Sequence, residues 1–186
     1  MFMTNLFSIA EDIRRCTKCP LWKARTLAVP GDGPQGAKLM FIGEAPGAEE
    51  DRIGLPFVGR SGKFLTEAME RAGIDRKSVF ITGSCKCRPP QNRTPTSAEL
   101  STCVSNWTSQ QISLINPNIV ILMGQTAVKG LLGKGSGQVK DLHGKIFVRD
   151  GRNFFVTYHP SAAMRFPLVR KMFEKDLKIL KNMTVK

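Results

Sequence analysis

The stretch Lys38-Leu39-Met40-Phe41-Ile42-Gly43-Glu44-Ala45-Pro46-Gly47 decides the fold. Its apolar run is too short for a helix and stops at a loop rich in glycine and proline. A run of this kind, bounded by turn residues, reads as a strand buried on both faces, as in a parallel sheet. Three further runs have the same character: Ser78 to Thr82, Asn118 to Met123 and Asn153 to Tyr158. Between and after them lie helical patterns, at Gly62 to Ala72 with Phe64, Leu65, Ala68 and Met69 inward, at Ser97 to Ile115, at Gln125 to Leu132 and at Leu168 to Leu180. The alternation predicts an α/β fold, a three-layer α/β/α sandwich around a central four-stranded parallel sheet. In such a sheet the segments leaving the carboxyl ends of the strands converge on one edge. Here those are Gly43 to Gly47, Gly83 to Cys87, Gly124 and His159.

Upstream, Leu6, Ile9, Ala10 and Ile13 recur at helical spacing, so an amphipathic helix should open the chain and deliver Cys16 and Cys19 at its C-terminal end. Thr96 and Glu99 form a capping-box pattern that starts the helix at Ser97 and carries Cys103 in its second turn.

The 186 residues are enough for one well-buried core, and one domain over 1–186 is the expectation. The 28 Lys and Arg outnumber the 15 Asp and Glu, for a net charge of +13. This is the electrostatic footprint of a protein that neutralises phosphates, and it makes nucleic acid the leading partner class. No apolar window reaches the length of a membrane span, and Met1-Phe2-Met3-Thr4 lacks the pattern of a signal peptide, so a cytoplasmic monomer with no membrane partner is expected. In a reducing compartment, the five cysteines read as ligands rather than as a disulfide framework.

Thiolates at Cys16, Cys19, Cys87 and Cys103 would suit tetrahedral zinc or a 4Fe-4S cluster equally, and Cys85 competes with Cys87 for one place in the set. The segment from Gly43 to Arg60 carries Glu44, Glu49, Glu50 and Asp51 and is too acidic to cradle a phosphate. Its carboxylates suit positioning work, although Glu49 to Asp51 also fit a plain solvated turn. Phe57, between Pro56 and Gly59, would sit in a held turn that offers its ring as a stacking face. His159 leaves a strand end within Tyr158-His159-Pro160-Ser161, a suitable place for a catalytic histidine. Met164 and Arg165 would then lie at a loop tip, an apolar wedge beside a cation.

Taken together, these segments resemble a family 4 uracil-DNA glycosylase, the iron-sulfur branch of the uracil-DNA glycosylase superfamily. The resemblance rests on Cys16-Thr17-Lys18-Cys19-Pro20-Leu21-Trp22, the Gly43 to Leu65 segment, Lys86 to Pro95, Cys103 and Tyr158 to Ser161, and it spans nearly the whole chain. It implies a 4Fe-4S cluster on Cys16, Cys19, Cys87 and Cys103. It also implies a substrate of DNA containing uracil or another deaminated base, and hydrolysis of the N-glycosidic bond at the start of base excision repair. Phe57 would stack on the flipped base, Gly43, Glu44, Ala45, Glu50 and Gly83 would surround it, and His159 would contact a uracil carbonyl, with Glu44 a second catalytic candidate. Arg60, Arg88, Ser161, Met164 and Arg165 would contact DNA.

The chain departs from the family pattern at one position. Ile81-Thr82-Gly83 stands where the family has Ile-Thr-Asn, whose amide pairs with the uracil edge. Reading of the base would then pass to backbone groups or to Ser84, or the pocket would accept a different deaminated base, or the chain would be a weakly active or inactive DNA-binding homologue. Restoring asparagine at position 83 is expected to sharpen uracil preference. Ala45 is no such departure: other branches of the superfamily carry a water-activating aspartate there, and this family does not.

Overall fold

The structure, a computed structural model, describes residues 5–184; Met1 to Thr4, invoked above against a signal peptide, lie outside the described residues. In chain order the elements are α1 (Leu6–Arg15), β1 (Leu39–Gly43), α2 (Ala48–Ile53), α3 (Arg60–Arg71), β2 (Phe80–Gly83), α4 (Ser97–Cys103), α5 (Ser109–Ile115) and β3 (Ile119–Met123). They continue as α6 (Gln125–Leu132), α7 (Val139–Leu142), β4 (Ile146–Arg149), β5 (Arg152–Thr157), α8 (Pro160–Arg165) and α9 (Pro167–Thr184).

The sheet order is β2-β1-β3-β5-β4, and every neighbouring pair is parallel except β4 with β5. Alternation along the inner strands explains the three layers, because successive side chains point to opposite faces. Leu39 and Phe41 of β1 pack with Phe64 and Leu65 of α3 and Phe173 and Leu177 of α9. Met40 and Ile42 pack on the other face with Ile112 and Ile115 of α5 and Ala127 and Val128 of α6. A third cluster joins Ile9 and Ile13 of α1 to Leu100, Cys87, Cys103 and Trp107, so the cysteines belong to an apolar satellite beside the sandwich. Among the described residues no helix is long and apolar enough to cross a membrane.

The architecture matches the expected α/β class, with a correction to the strand count. The four expected strands form the parallel part of the sheet, and a fifth, β4, adds an antiparallel edge. Its side chains are mostly exposed, Val148 at 72%, so it lacks the continuous apolar run by which the buried strands were recognised. The signal was nevertheless present: Asp150 and Gly151 link Arg149 to Arg152 with φ values of 49° and 72°, the left-handed pair required by a two-residue hairpin turn.

Two elements also differ in detail. The helix expected from Ser97 to Ile115 contains one π-helical turn, Val104–Thr108, immediately after Cys103. Glu49, Glu50 and Asp51 form the first turn of α2 rather than a solvated turn. Three acidic residues at a helix N-terminus complement its dipole, and the Glu50 carboxylate completes a box by accepting from the Gly47 N–H at 3.2 Å.

Candidate active site and thiolate hollow

The N-terminal cysteines are placed by chain stops. Asn5 caps α1 through the Ser8 N–H, Cys16 closes the helix, and Cys19 precedes a short 3-10 turn, Pro20–Lys23, that begins with proline. Cys103 is held from the other side by α4, whose start is fixed by the Thr96–Glu99 capping box and by Arg93, which donates two hydrogen bonds to Glu99 at 2.7 and 2.8 Å. That arginine holds the Glu99 carboxyl well below its usual range, at about 2, chiefly by hydrogen bonding.

Cys16, Cys19, Cys87 and Cys103 line a single hollow together with Trp22 and Trp107, and Cys85 does not. Cys85 is wholly buried behind it. Backbone and side-chain donors point at three of the four lining sulfurs. Trp107 Nε1 donates to Cys16 Sγ at 3.2 Å, Lys18 N to Cys16 at 3.5 Å, Arg25 to Cys87 at 3.0 Å and Lys86 N to Cys103 at 3.3 Å. Donors gathered around sulfur favour its anionic, ligating form, as around iron-sulfur clusters, so this donor set fits a thiolate-bound centre. Among the described residues, no group of three or more His, Cys, Asp or Glu side chains stands close enough together to hold a metal ion as it is. Trp107 and Arg25 carried no sequence signal for this role. The π-helical turn turns Trp107 toward the hollow, and such turns recur at functional sites.

At the carboxyl ends of β1, β2 and β5 lies a cleft of about 260 Å³. It brings together Glu44, Ala45, Glu50, Phe57, Gly83, His159, Ser161 and Arg165 from the expected set. Gly43 lies under two of them, since a Cβ there would stand 2.5 Å from Phe57 Cζ and 3.5 Å from His159 Nε2. The rings of Phe57 and His159 are 6.0 Å apart between centroids, tilted by 35°. Arg60, Arg88 and Met164 do not line the cleft. Arg60 is exposed at the first turn of α3, and Arg88 donates from Nε to Asn92 Oδ1 at 2.7 Å. Met164 and Arg165 sit in α8 rather than at a loop tip, because His159 caps and Pro160 starts that helix, the position proline prefers.

The His159 ring has a defined polarity. Its Nδ1 lies 3.2 Å from the Ser161 backbone N–H, which can only donate, and 2.7 Å from the Ser161 hydroxyl. Nδ1 is therefore the acceptor, and the proton of the neutral ring sits on Nε2. Burial pulls the His159 pKa down to about 4, so the ring is neutral at physiological pH.

The carboxylates divide by role. Glu44 accepts a hydrogen bond from the Thr126 hydroxyl at the start of α6. Glu50 accepts from the Gly59 and Gly47 N–H groups at 2.8 and 3.2 Å and so clamps the loop that presents Phe57, whose φ of 54° is rare for an aromatic residue. Asp51 is buried and accepts from the Thr26 N–H, and Glu49 pairs with Arg52 at the surface. Ser84, a sequence candidate for reading a base, is buried with its hydroxyl committed to Gly43 O at 2.7 Å, so it is not available to the cleft.

Lys86 joins the hollow to the cleft. Its backbone N–H serves Cys103, while its fully buried Nζ donates to Thr82 Oγ1 and to Gly83 O, both at 2.7 Å. Sequence reading missed this residue, along with Thr126 and Asn92.

Comparison with known proteins places the chain. The profile described as "Uracil DNA glycosylase superfamily" matches residues 30–181. The chain is similar to the type-4 uracil-DNA glycosylase of Sulfurisphaera tokodaii, at 40% identity over 98% of this chain and 86% of that protein. It is similar also to those of Pyrobaculum aerophilum, at 43% over 93% and 91%, and Saccharolobus solfataricus, at 43% over 97% and 87%. With its parallel sheet and the cleft at the strand ends, the chain belongs to the type-4 branch of the uracil-DNA glycosylase superfamily.

Proposed function

We propose that this chain hydrolyses the N-glycosidic bond of uracil, or of a related deaminated base, in DNA, and so opens base excision repair. The observation that carries the reading is the pairing of Phe57 and the Nε2–H of neutral His159 across one cleft at the strand ends. A base must leave the duplex stack before its glycosidic bond is reached, and the phenyl ring compensates the lost stacking. As the bond breaks, negative charge develops on the base, and the Nε2–H of His159 is aimed to stabilise it, a contribution of about 2.7 to 4 kcal/mol for one such donor. Glu44, held by Thr126, is the candidate to orient the attacking water beside Ala45. Among the described residues no lysine lines the cleft, which suits hydrolysis without a Schiff-base intermediate.

Cys16, Cys19, Cys87 and Cys103 would hold a 4Fe-4S cluster, which supplies a structural tie rather than reacting with substrate. The N–H···S donors and the exclusion of Cys85 from the hollow support this set. The whole chain would act as one domain, a monomer in the cytoplasm. Arg165 at the cleft, with Arg60 and Arg88 nearby in sequence to its walls and a net charge of +13, would engage the phosphates.

The test is incubation with oligonucleotides carrying uracil opposite G, opposite A and in single strands, followed by alkali. Cleavage at the uracil position is expected, and intact strands in all three would favour a non-catalytic DNA-binding homologue. The protein should purify brown with iron. Cys85→Ala should keep the iron and Cys87→Ala lose it, and a colourless protein holding one zinc would overturn the cluster assignment.

A further inference from the structure

We propose that Asn92 reads the 4-oxo edge of the everted base, taking the part that an amide at position 83 would have played; the inference rests on the glycosylase reading above. Gly83 brings no side chain, and its carbonyl and the polar groups of the residues after it are already engaged. Gly83 O accepts from Lys86 Nζ, the Ser84 N–H and hydroxyl both donate to Gly43 O, Ser84 O accepts from Thr108, and the Cys85 N–H donates to Glu44 O. The Ser84 and Cys85 donors that follow β2 are therefore unavailable to a base.

Pro89, Asn92 and Arg93 line the same cleft as Gly83. Arg93 is occupied by Glu99 and by Thr94 O. Among the described residues Asn92 is the one side-chain amide on the cleft, and its polarity is set, because Arg88 Nε can only donate and holds Oδ1 at 2.7 Å. The Nδ2 group is left with both protons unengaged among the described hydrogen bonds. Its backbone is held as well, by an Asn92 N–H bond to Pro89 O at 3.0 Å, in a left-handed conformation with φ of 55° that asparagine tolerates better than most residues. Arg88 is thus a positioning residue, acting through Asn92.

A fixed NH2 group donates to the O4 of uracil or to the 6-oxo group of a deaminated purine. Against the exocyclic amine of cytosine or adenine it sets donor against donor. The substrate class this selects is bases with an oxo group at that edge, the products of deamination, over their undamaged parents.

Single-turnover release is measured with the full chain on paired oligonucleotides carrying uracil or 4-thiouracil, which keeps the ring, the 2-oxo group and N3–H but replaces O4 with a weak acceptor. If Asn92 donates to O4, the preference of the wild type for uracil over 4-thiouracil falls by roughly three- to tenfold in Asn92→Ala. Asn92→Asp, which keeps the bond from Arg88 but has no proton to give, behaves the same way, and Arg88→Ala loses part of the preference. Variants that slow both bases equally, leaving the ratio at its wild-type value, would overturn the inference while leaving the glycosylase reading intact. A wild type that releases neither base overturns both.

Discussion

Gly43 and Phe57 are in a contact that leaves no room for a β-carbon: one built on Gly43 would stand 2.5 Å from Phe57 Cζ. The end of β1 is thereby the floor on which the phenyl ring rests, and the ring is held over it by a loop that Glu50 clamps at both ends. Gly43→Ala should push the ring out of its stacking position. With base stacking on an aromatic ring worth about 1 to 3 kcal/mol, single-turnover uracil release should fall roughly 5- to 100-fold. An unchanged rate would show that the ring need not rest there.

His159 should act through a proton it already carries. His159→Ala is expected to slow base release about 100- to 1,000-fold with little change in DNA affinity, and His159→Gln, which keeps a donor, to recover part of it. Burial also links this ring to stability. The unfolded chain takes up the proton near the usual histidine value of 6.5, the folded one only near 4, so acidification favours unfolding between those values. Urea midpoints should therefore fall from pH 7 to pH 5 in the wild type and stay level in His159→Gln. Glu99 acts lower down: its carboxyl, held at about 2 against an ordinary 4.5, adds stability above pH 4.5 that is lost as pH drops toward 2. Glu99→Gln should flatten the fall from pH 5 to pH 3, and a slope unaltered by either variant would refute the linkage.

Thr126 is the partner of Glu44, and valine is its near-isostere without a hydroxyl. Thr126→Val should lower the rate of base release roughly three- to tenfold while leaving the affinity for uracil-containing DNA unchanged. A loss confined to affinity would mean that Glu44 grips the substrate rather than orienting the attacking water.

Placing asparagine at position 83 is no longer expected to restore a family-like reading. A Cβ at Gly83 would stand 2.6 Å from the Cys85 carbonyl oxygen, which is backbone and cannot swing aside. Gly83→Asn and Gly83→Ala should both destabilise by about 1 to 3 kcal/mol, as overpacked sites do, and melt several degrees lower. A variant with unaltered melting and sharper uracil preference would restore the original expectation.

The layered core was legible because it depends on local pattern. Leu39 to Ile42, Asn118 to Met123 and their counterparts are apolar on both faces, and that alone requires helices on each side. β4 was missed because an edge strand needs only one buried side, leaving Val148 in solvent, and its clearest sign was the Asp150–Gly151 turn rather than its own residues. α8 was missed for a related reason, being a single turn and a half whose start, His159 with Pro160, had been read for chemistry instead of capping.

From the chain of residues alone followed the parallel sheet and the edge at which its loops meet, with the cysteines, the aromatic ring and the imidazole as candidate groups, since each is a matter of periodicity, punctuation and residue type. Which nitrogen of His159 bears the proton, which carboxylates face the cleft and which brace a loop, why Cys85 stands aside, and how Lys86 and Arg88 reach across to Gly83 and Asn92 were decided only on folding. Those properties depend on hydrogen bonds and close approaches between groups that are distant in the chain or turned by a local kink, and their distances and angles are set by packing rather than by any pattern of neighbours.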